Sequence, residues 1–252
     1  MAPSEPLDAP ATPSAAMLVI GDEILSGRTR DANTGYLAEE LTKQGISLRE
    51  VRVVPDIHDE IVTAVQALSL RYDSLFTSGG IGPTHDDITA EAVAAAFATP
   101  IGVRADAREI LQRHYDARGI ELNAARLRMA RIPDGARLIE NPISAAPGFI
   151  LQNTHVMAGI PSIFQAMVAS VLPGLTKGAP ILSQSLKVTR GEGDIAADLK
   201  AIADDYPELS FGSYPFLDNG TIGTRIVVRG TDGGRVDTAM VRVATLLAPP
   251  EA

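Results

Sequence analysis

The chain has 252 residues, of which 45% are hydrophobic and 21% charged, and its 22 Lys and Arg against 31 Asp and Glu leave a formal net charge of −9. That apolar share suits a globular protein of one or two domains. No cysteine and four scattered histidines exclude disulfides and thiolate metal sites and argue against zinc, leaving metals with oxygen ligands; the acidic charge argues against nucleic acid or an anionic membrane as partner of the whole chain.

No stretch approaches the roughly 18 apolar residues of a membrane span, and the N-terminus has neither a basic nor an apolar signal region, so a cytoplasmic protein is expected. Residues 1–15, with prolines at 3, 6, 10 and 13, have too little apolar surface to offset the entropy of ordering and read as a floppy tail. The run AMLVI (16–20) predicts a buried strand. Asn33 reads as the N-cap of a helix with Leu37 and Leu41 on one face and Gly45 at its stop. SLREVRVV (47–54) predicts a strand, and Ile57, Ile61, Val65 and Leu68 stand at helical spacing. A short strand (74–77), the glycine-rich SGGIGPTHDD (78–87) and a helix through Val93 and Phe97 follow. Strands alternating with helices imply crossovers and a parallel sheet, so the first half is α/β.

Between Arg104 and Arg137 lie eight arginines and five acids, with helices expected around 105–118 and 123–130. Strands near 148–151 and 155–158 and a helix over 163–171 close a domain spanning 16–175. Pro173, Gly174, Gly178 and Pro180 punctuate a linker. Residues 176–252 predict a small α+β domain of order βαββα: a strand (185–189), a helix (195–204), two strands joined through Asp218-Asn219-Gly220, and a helix with Val236, Met240, Val243 and Leu247 on one face. Asn-Gly supplies the positive φ angles of a hairpin turn.

The segment Ser78-Gly79-Gly80-Ile81-Gly82-Pro83-Thr84-His85-Asp86-Asp87 follows a buried strand and opens a helix, where open α/β sheets bind ligands and backbone N–H groups approach phosphate. It is neither a dinucleotide G-x-G-x-x-G nor a P-loop with its Lys. Asp86 and Asp87 beside a phosphate call for a cation between them, and Mg²⁺ held by carboxylates and phosphate oxygens is the economical choice. The competing reading has Asp87 or Thr89 merely capping the next helix. Gly21-Asp22-Glu23, with Gly27 closing the loop, is either an ordinary turn or an acidic pair brought beside the glycine loop by parallel topology. Asn141-Pro142 and Ala146-Pro147-Gly148-Phe149 read first as punctuation between strands. Most arginines of 104–137 read as solvated ion-pair partners, Arg126 and Arg128 being the candidates for a ligand. His85 reads as solvent-facing.

GDEILSGRTRDANTGYL (21–37), TSGGIGPTHDDITAEAVAAAF (77–97), NPISAAPGF (141–149) and AGIPSIFQAM (158–167) together resemble the molybdopterin-binding fold family. That family is shared by molybdopterin adenylyltransferases, the competence/damage-inducible protein A (CinA) family and the N-terminal part of eukaryotic FAD synthase. The GDEI opening, D-x-N and THD point to the CinA family. Residues 176–252 resemble its small KH-type domain, and GSYP (212–215) is similar to a stretch in the FAD synthase relatives.

The resemblance implies a three-layer α/β domain that binds molybdopterin or a nucleotide at the C-terminal ends of its strands. By position, Ser78, Gly79, Gly80 and Gly82 would cradle phosphate. Gly21, Asn33, Thr84, Thr89, Glu91, Pro147 and Gly148 would join the ligand site. Asp87 and Asp22 would hold Mg²⁺ or another divalent cation, and Asp22, Glu23, Asp86 and Asp87 would be catalytic. The implied activity is metal-dependent hydrolysis of nucleotide pyrophosphates such as ADP-ribose or FAD. The alternatives are a non-catalytic molybdopterin or nucleotide binder and an adenylyltransferase-like enzyme. A homo-oligomer, dimer or trimer, is expected.

Three departures from the family pattern stand out. Ser144 replaces a frequent glycine and Ala158 a frequent proline. The amidase domain of full-length relatives has no counterpart in 252 residues, so no deamidase activity is expected. Gly220–Gly223 and Gly230–Gly233 match G-x-x-G but are expected in turns flanked by strands, without the basic neighbours of an RNA-binding KH loop, and residues 180–252 hold seven basic and ten acidic residues, so no nucleic acid is expected as a partner.

Overall fold

The computed structural model describes residues 12–218 and 220–247. Two compact units divide the chain, Met1–Gly178 and Ala179–Ala252. None of the described helices is long and apolar enough to cross a membrane.

In the first unit the chain runs β1 (Ser14–Ile20), α1 (Asp22–Leu25), α2 (Asn33–Lys43), β2 (Ser47–Val54), α3 (His58–Arg71), β3 (Ser74–Ser78) and α4 (Thr89–Ala96). It continues through β4 (Ile101–Val103), α5 (Ala105–Asp116), α6 (Ala124–Leu127), β5 (Arg131–Pro133), β6 (Arg137–Ile139), β7 (Gly148–Leu151), β8 (Thr154–Met157) and α7 (Pro161–Val171). The six-stranded sheet has the order β2-β1-β3-β8-β7-β6. Its first four strands are parallel, and β7 and β6 complete it by antiparallel pairing.

Both faces of β1 are buried because its alternate residues serve two cores. Ala16, Leu18 and Ile20 meet Ile61, Val65 and Leu68 of α3, Val93 of α4 and Leu111 of α5. Ala15, Met17 and Val19 meet Leu37 and Leu41 of α2 and Phe164, Met167 and Val168 of α7. The result is the expected helix–sheet–helix layering.

Several expectations need correction. The strand opens at Ser14, so residues 14 and 15 leave the expected tail: the Ser14 N–H and hydroxyl donate to Asp73 Oδ2 at 2.7 and 2.6 Å. The rest of that tail, residues 1–11, lies outside the described residues. Asn33 is the first residue of α2 and not its cap; Asp31 Oδ1 accepts from the backbone N–H groups of Asn33 and Thr34 at 2.9 and 3.4 Å. Strands β4, β5 and β6 have three residues each, too few for a period-two pattern to announce them.

The second unit is β9 (Leu182–Val188), α8 (Glu192–Asp205), β10 (Ser210–Asp218), β11 (Thr221–Gly230) and α9 (Gly233–Leu247), the expected βαββα order. Its antiparallel sheet runs β10-β11-β9, and Ile195, Ile202, Val236, Val243 and Leu247 of the helices pack on Ile226 and Val228. Asn219 of the hairpin turn lies outside the described residues. Gly223 lies within β11, and Gly230–Gly233 joins a strand to a helix instead of two strands.

His155 on β8 is 6% exposed and stacks on Phe76, centroids 4.7 Å apart. Burial, with a smaller contribution from the charge of Arg137, pushes its pKa down to about 4. A depressed histidine stabilises the fold fully above its unfolded pKa, and that stabilisation is lost as the pH falls toward the folded value. Between pH 6.5 and 4, wild-type stability should therefore fall by up to roughly 3 kcal/mol more than that of His155→Phe, which keeps a ring on Phe76. Thermal melts across this range check it; parallel curves would assign the acid sensitivity to other groups.

Candidate ligand cleft at the strand ends

Parallel pairing brings the C-terminal ends of β1, β2, β3 and β8 to one edge of the sheet. Each end passes into a loop, and the four loops, with the β6–β7 loop, surround a cleft of about 480 Å³. Gly21 and Glu23 line it from the first loop, Asp56 from the second, Gly79, Gly80, Gly82, Asp86 and Asp87 from the third, and Gly159 to Pro161 from the fourth. Asn141, Ser144 and Ala146 also line it, so this loop is wall and not only punctuation. The Asn141 side chain holds it by donating to Ser144 Oγ and Ala146 O at 2.6 and 2.9 Å and accepting from the Ser144 N–H at 3.1 Å. Ser144 is thereby part of the bonding that shapes this loop.

The glycine loop is fixed from beneath. The Gly79 N–H donates to Met157 O at 3.1 Å, and the Thr89 hydroxyl donates to Gly79 O at 3.0 Å. Thr89 is fully buried and therefore staples the loop instead of touching a ligand. Neither Asp87 nor Thr89 caps α4 through its side chain, which removes the capping explanation. Asp87 Oδ2 accepts from the backbone N–H of Thr84 at 2.8 Å and from its hydroxyl, closing the turn that aims Asp86 and Asp87 at the cleft.

Other expected site residues lie just behind the lining. Ser78 Oγ accepts from Asn33 Nδ2 at 2.7 Å, and the same nitrogen donates to Gly159 O at 2.8 Å. Asn33 Oδ1, although buried, has no partner among the described residues. It borders a side chamber of about 50 Å³ shared with Glu23, Asp31 and Ser78. Glu91 pairs with Arg131 at 2.8 Å below the loop. Pro147 borders a small void beneath the loop, and Gly148 is buried in β7 against the Val156 carbonyl, so neither lines the cleft. Arg128 Nη2 donates to Asp87 O at 3.2 Å and supports the acidic turn. Arg126 lies away from it, over the Tyr115 ring. His85 is exposed to solvent.

Sequence reasoning missed Asp56, which follows β2 through Pro55. Its Oδ2 accepts from the Asp22 N–H at 2.9 Å and so caps α1. Asp22 thus contributes its backbone, and its side chain is not part of the lining. Burial first, and then the charges of Asp22, Glu23 and Asp86, raise the Asp56 pKa above its ordinary value. The available signal was position, since a carboxylate just past a parallel strand reaches the same edge as its neighbours. Among the described residues no three His, Asp or Glu side chains converge closely enough to hold a metal unaided.

Residues 16–177 match the family described as "Probable molybdopterin binding domain", and residues 180–251 match "FAD synthase, middle domain". The chain belongs to the molybdopterin-binding-domain family. Its membership is of the CinA type. A protein of Pyrobaculum arsenaticum is 34% identical over 208 residues, covering 79% of this chain and 78% of that protein. A CinA-like protein of Citrifermentans bemidjiense is 38% identical over 166 residues, covering 64% of this chain and 40% of that protein. The crystal structure of CinA from Thermoplasma acidophilum, itself described as of unknown function, is similar with a TM-score of 0.59 and 32% identity. It covers 64% of this chain and 96% of that one. The mostly parallel α/β sheet of the CinA-type unit is thus a family feature, and its cleft lies where such sheets bind ligands.

The raised Asp56 pKa carries a stability consequence. A raised carboxylate stabilises the fold fully below its unfolded pKa, and this contribution is lost as the pH rises through the folded value. Asp56→Asn keeps the acceptor for the Asp22 N–H and removes one charge from the cluster. Its Tm at pH 7 should exceed that of the wild type by roughly 1–3 °C, the gain fading below about pH 4. A lower Tm at pH 7 would show that the carboxylate's bond to Asp22 outweighs the repulsion.

Proposed function

We propose that this protein is a divalent-metal-dependent hydrolase of nucleotide pyrophosphates of the ADP-ribose or FAD type. The observation that carries the reading is one cleft in which the Gly79–Gly82 backbone faces the carboxylates of Glu23, Asp56, Asp86 and Asp87. The match of the second unit to a domain of FAD synthase supports a flavin or adenine dinucleotide among the candidate ligands.

The donor set fits a hard cation, because every charged side chain lining the cleft is a carboxylate. Asp87 and Asp56 would hold it, in place of the Asp87 and Asp22 expected by position, with ligand phosphate oxygens completing the set. When bound, such a cation neutralises phosphate charge and polarises the P–O bond. The loop amides of Gly79 to Gly82 bind the non-bridging phosphoryl oxygens, where charge grows as the anhydride is attacked. Glu23 or Asp86 takes a proton from water as its oxygen bonds to phosphorus; the bridging P–O bond breaks and the departing phosphate carries away the electron pair. Asn33 Oδ1 offers an acceptor to a hydroxyl or amino group of the ligand reaching the side chamber.

The test is hydrolysis of ADP-ribose and FAD followed by ³¹P NMR, with Mg²⁺, Mn²⁺ or Co²⁺ and with chelator. Metal-dependent release of monophosphates is expected. Glu23→Gln and Asp87→Asn should lower kcat by about 10²-fold or more while Tm stays near the wild-type value. Intact dinucleotides together with tight binding of a pterin phosphate would replace this reading with that of a non-catalytic molybdopterin binder.

A further inference from the structure

The motif GSYP lies in the second unit, whose sheet gives it and the charges around it a setting. On β11, Thr224, Ile226 and Val228 are buried on the side covered by α8 and α9. Strand alternation therefore turns Arg225, Val227 and Arg229 to the opposite face. The register sets Arg225 between Tyr214 of β10 and Lys187 of β9, and Phe216 opposite Gly223. Lys187, Arg225, Arg229 and Tyr214 are all exposed, Tyr214 to 49%.

The two rings lie low on the strands because glycines leave room for them. A Cβ at Gly212 would stand 2.9 Å from the Tyr214 ring, and one at Gly223 would stand 2.6 Å from the Phe216 ring. Lys187 Nζ sits 4.9 Å from the Phe216 centroid and 3.4 Å from Asp218. Across β9, β10 and β11 there are three cations and one acid, Asp218. The remaining positions of this face are small or polar, with Ser183 and Ser185 on β9 and Val227 as its aliphatic member. The exposed Leu217 and Ile222 pair with each other on the opposite face.

We infer that this sheet face binds single-stranded nucleic acid. Tyr214 and Phe216 stand about 7 Å apart along one strand and offer stacking surfaces for successive unpaired bases, while Arg225, Arg229 and Lys187 hold phosphates alongside. Aromatic rings interleaved with cations on one open face match a polyanion that carries planar bases. The net charge of the chain does not oppose this, because acids more than about 10 Å away are screened at moderate salt. The acid-rich count of the C-terminal segment conceals the segregation: strand alternation gathers cations on one face while most acids sit on the helices and loops.

The experiment is fluorescence anisotropy of the full chain with labelled oligo(U) and oligo(A) of about 12 nucleotides and a duplex of the same length, at salt concentrations from about 0.1 M upward. Saturable binding is expected, tighter for single strands than for duplex by about tenfold, with a log–log salt slope near −2 for three phosphate contacts at about 0.7 each. Tyr214→Ala and Arg225→Glu should each weaken binding about tenfold, Tyr214→Phe should retain it, and Lys200→Glu on α8 should change it less than twofold. The inference is overturned by absence of saturable binding, equal affinity for duplex, an equal loss in Lys200→Glu, or displacement of the oligonucleotide by poly-glutamate at equal charge concentration, which would assign the face to an acidic protein.

Discussion

At Gly79 the ends of three parallel strands meet more closely than any side chain permits. A Cβ there would collide with the Ile20 carbonyl that ends β1, its φ is +110°, and a Cβ on Gly159, beyond β8, would lie 3.2 Å from the Gly79 Cα. Only glycine meets both the steric and the conformational demand. The cleft depends on this junction, because it sets the loops after β1, β3 and β8 around one opening. Asn33 bridges the same junction through Ser78 and Gly159, and Thr89 fastens it from below. Backbone geometry is what this packing fixes, and the proposed phosphate site would rely on it.

Electrostatics supplies the second constraint. The strand ends gather carboxylates from three loops, and burial, with smaller contributions from the charges of Asp22, Glu23 and Asp86, raises the Asp56 carboxyl pKa. Arg128 and Arg131 lie beneath the loop, one bonded to the Asp87 carbonyl and the other to Glu91. They hold the acidic turn in place without entering the lining of the cleft. The site is therefore short of positive charge at the position where a phosphate would arrive, which is the condition a hard divalent cation satisfies.

The alternation of strands and helices, the layering and the glycine loop were legible because each rests on local periodicity or on residues adjacent in the chain. The strand and helix order of the second unit was legible for the same reason. The role of Asn33 was not: N-capping is a local rule, whereas its actual bonds reach residues 45 and 126 positions away. Asp56 escaped because nothing beside it in sequence marks it, and only the pairing of β1 with β2 brings it to the cleft. Thr89 and Glu91 were placed in the ligand site by position in a motif, yet their side chains are spent on the loop and on Arg131. Motifs mark where a chain is constrained; which members face the ligand depends on side-chain direction.

A single phosphate-binding site formed by the Gly79–Gly82 amides and the surrounding carboxylates can be followed by amide chemical shifts in a ¹H–¹⁵N NMR titration with ADP-ribose, with and without Mg²⁺. The largest shifts should fall on Gly79, Gly80, Gly82 and Gly159, and Mg²⁺ should tighten the titration. Saturating shifts that spare these glycines, or binding that Mg²⁺ leaves unchanged, would contradict it.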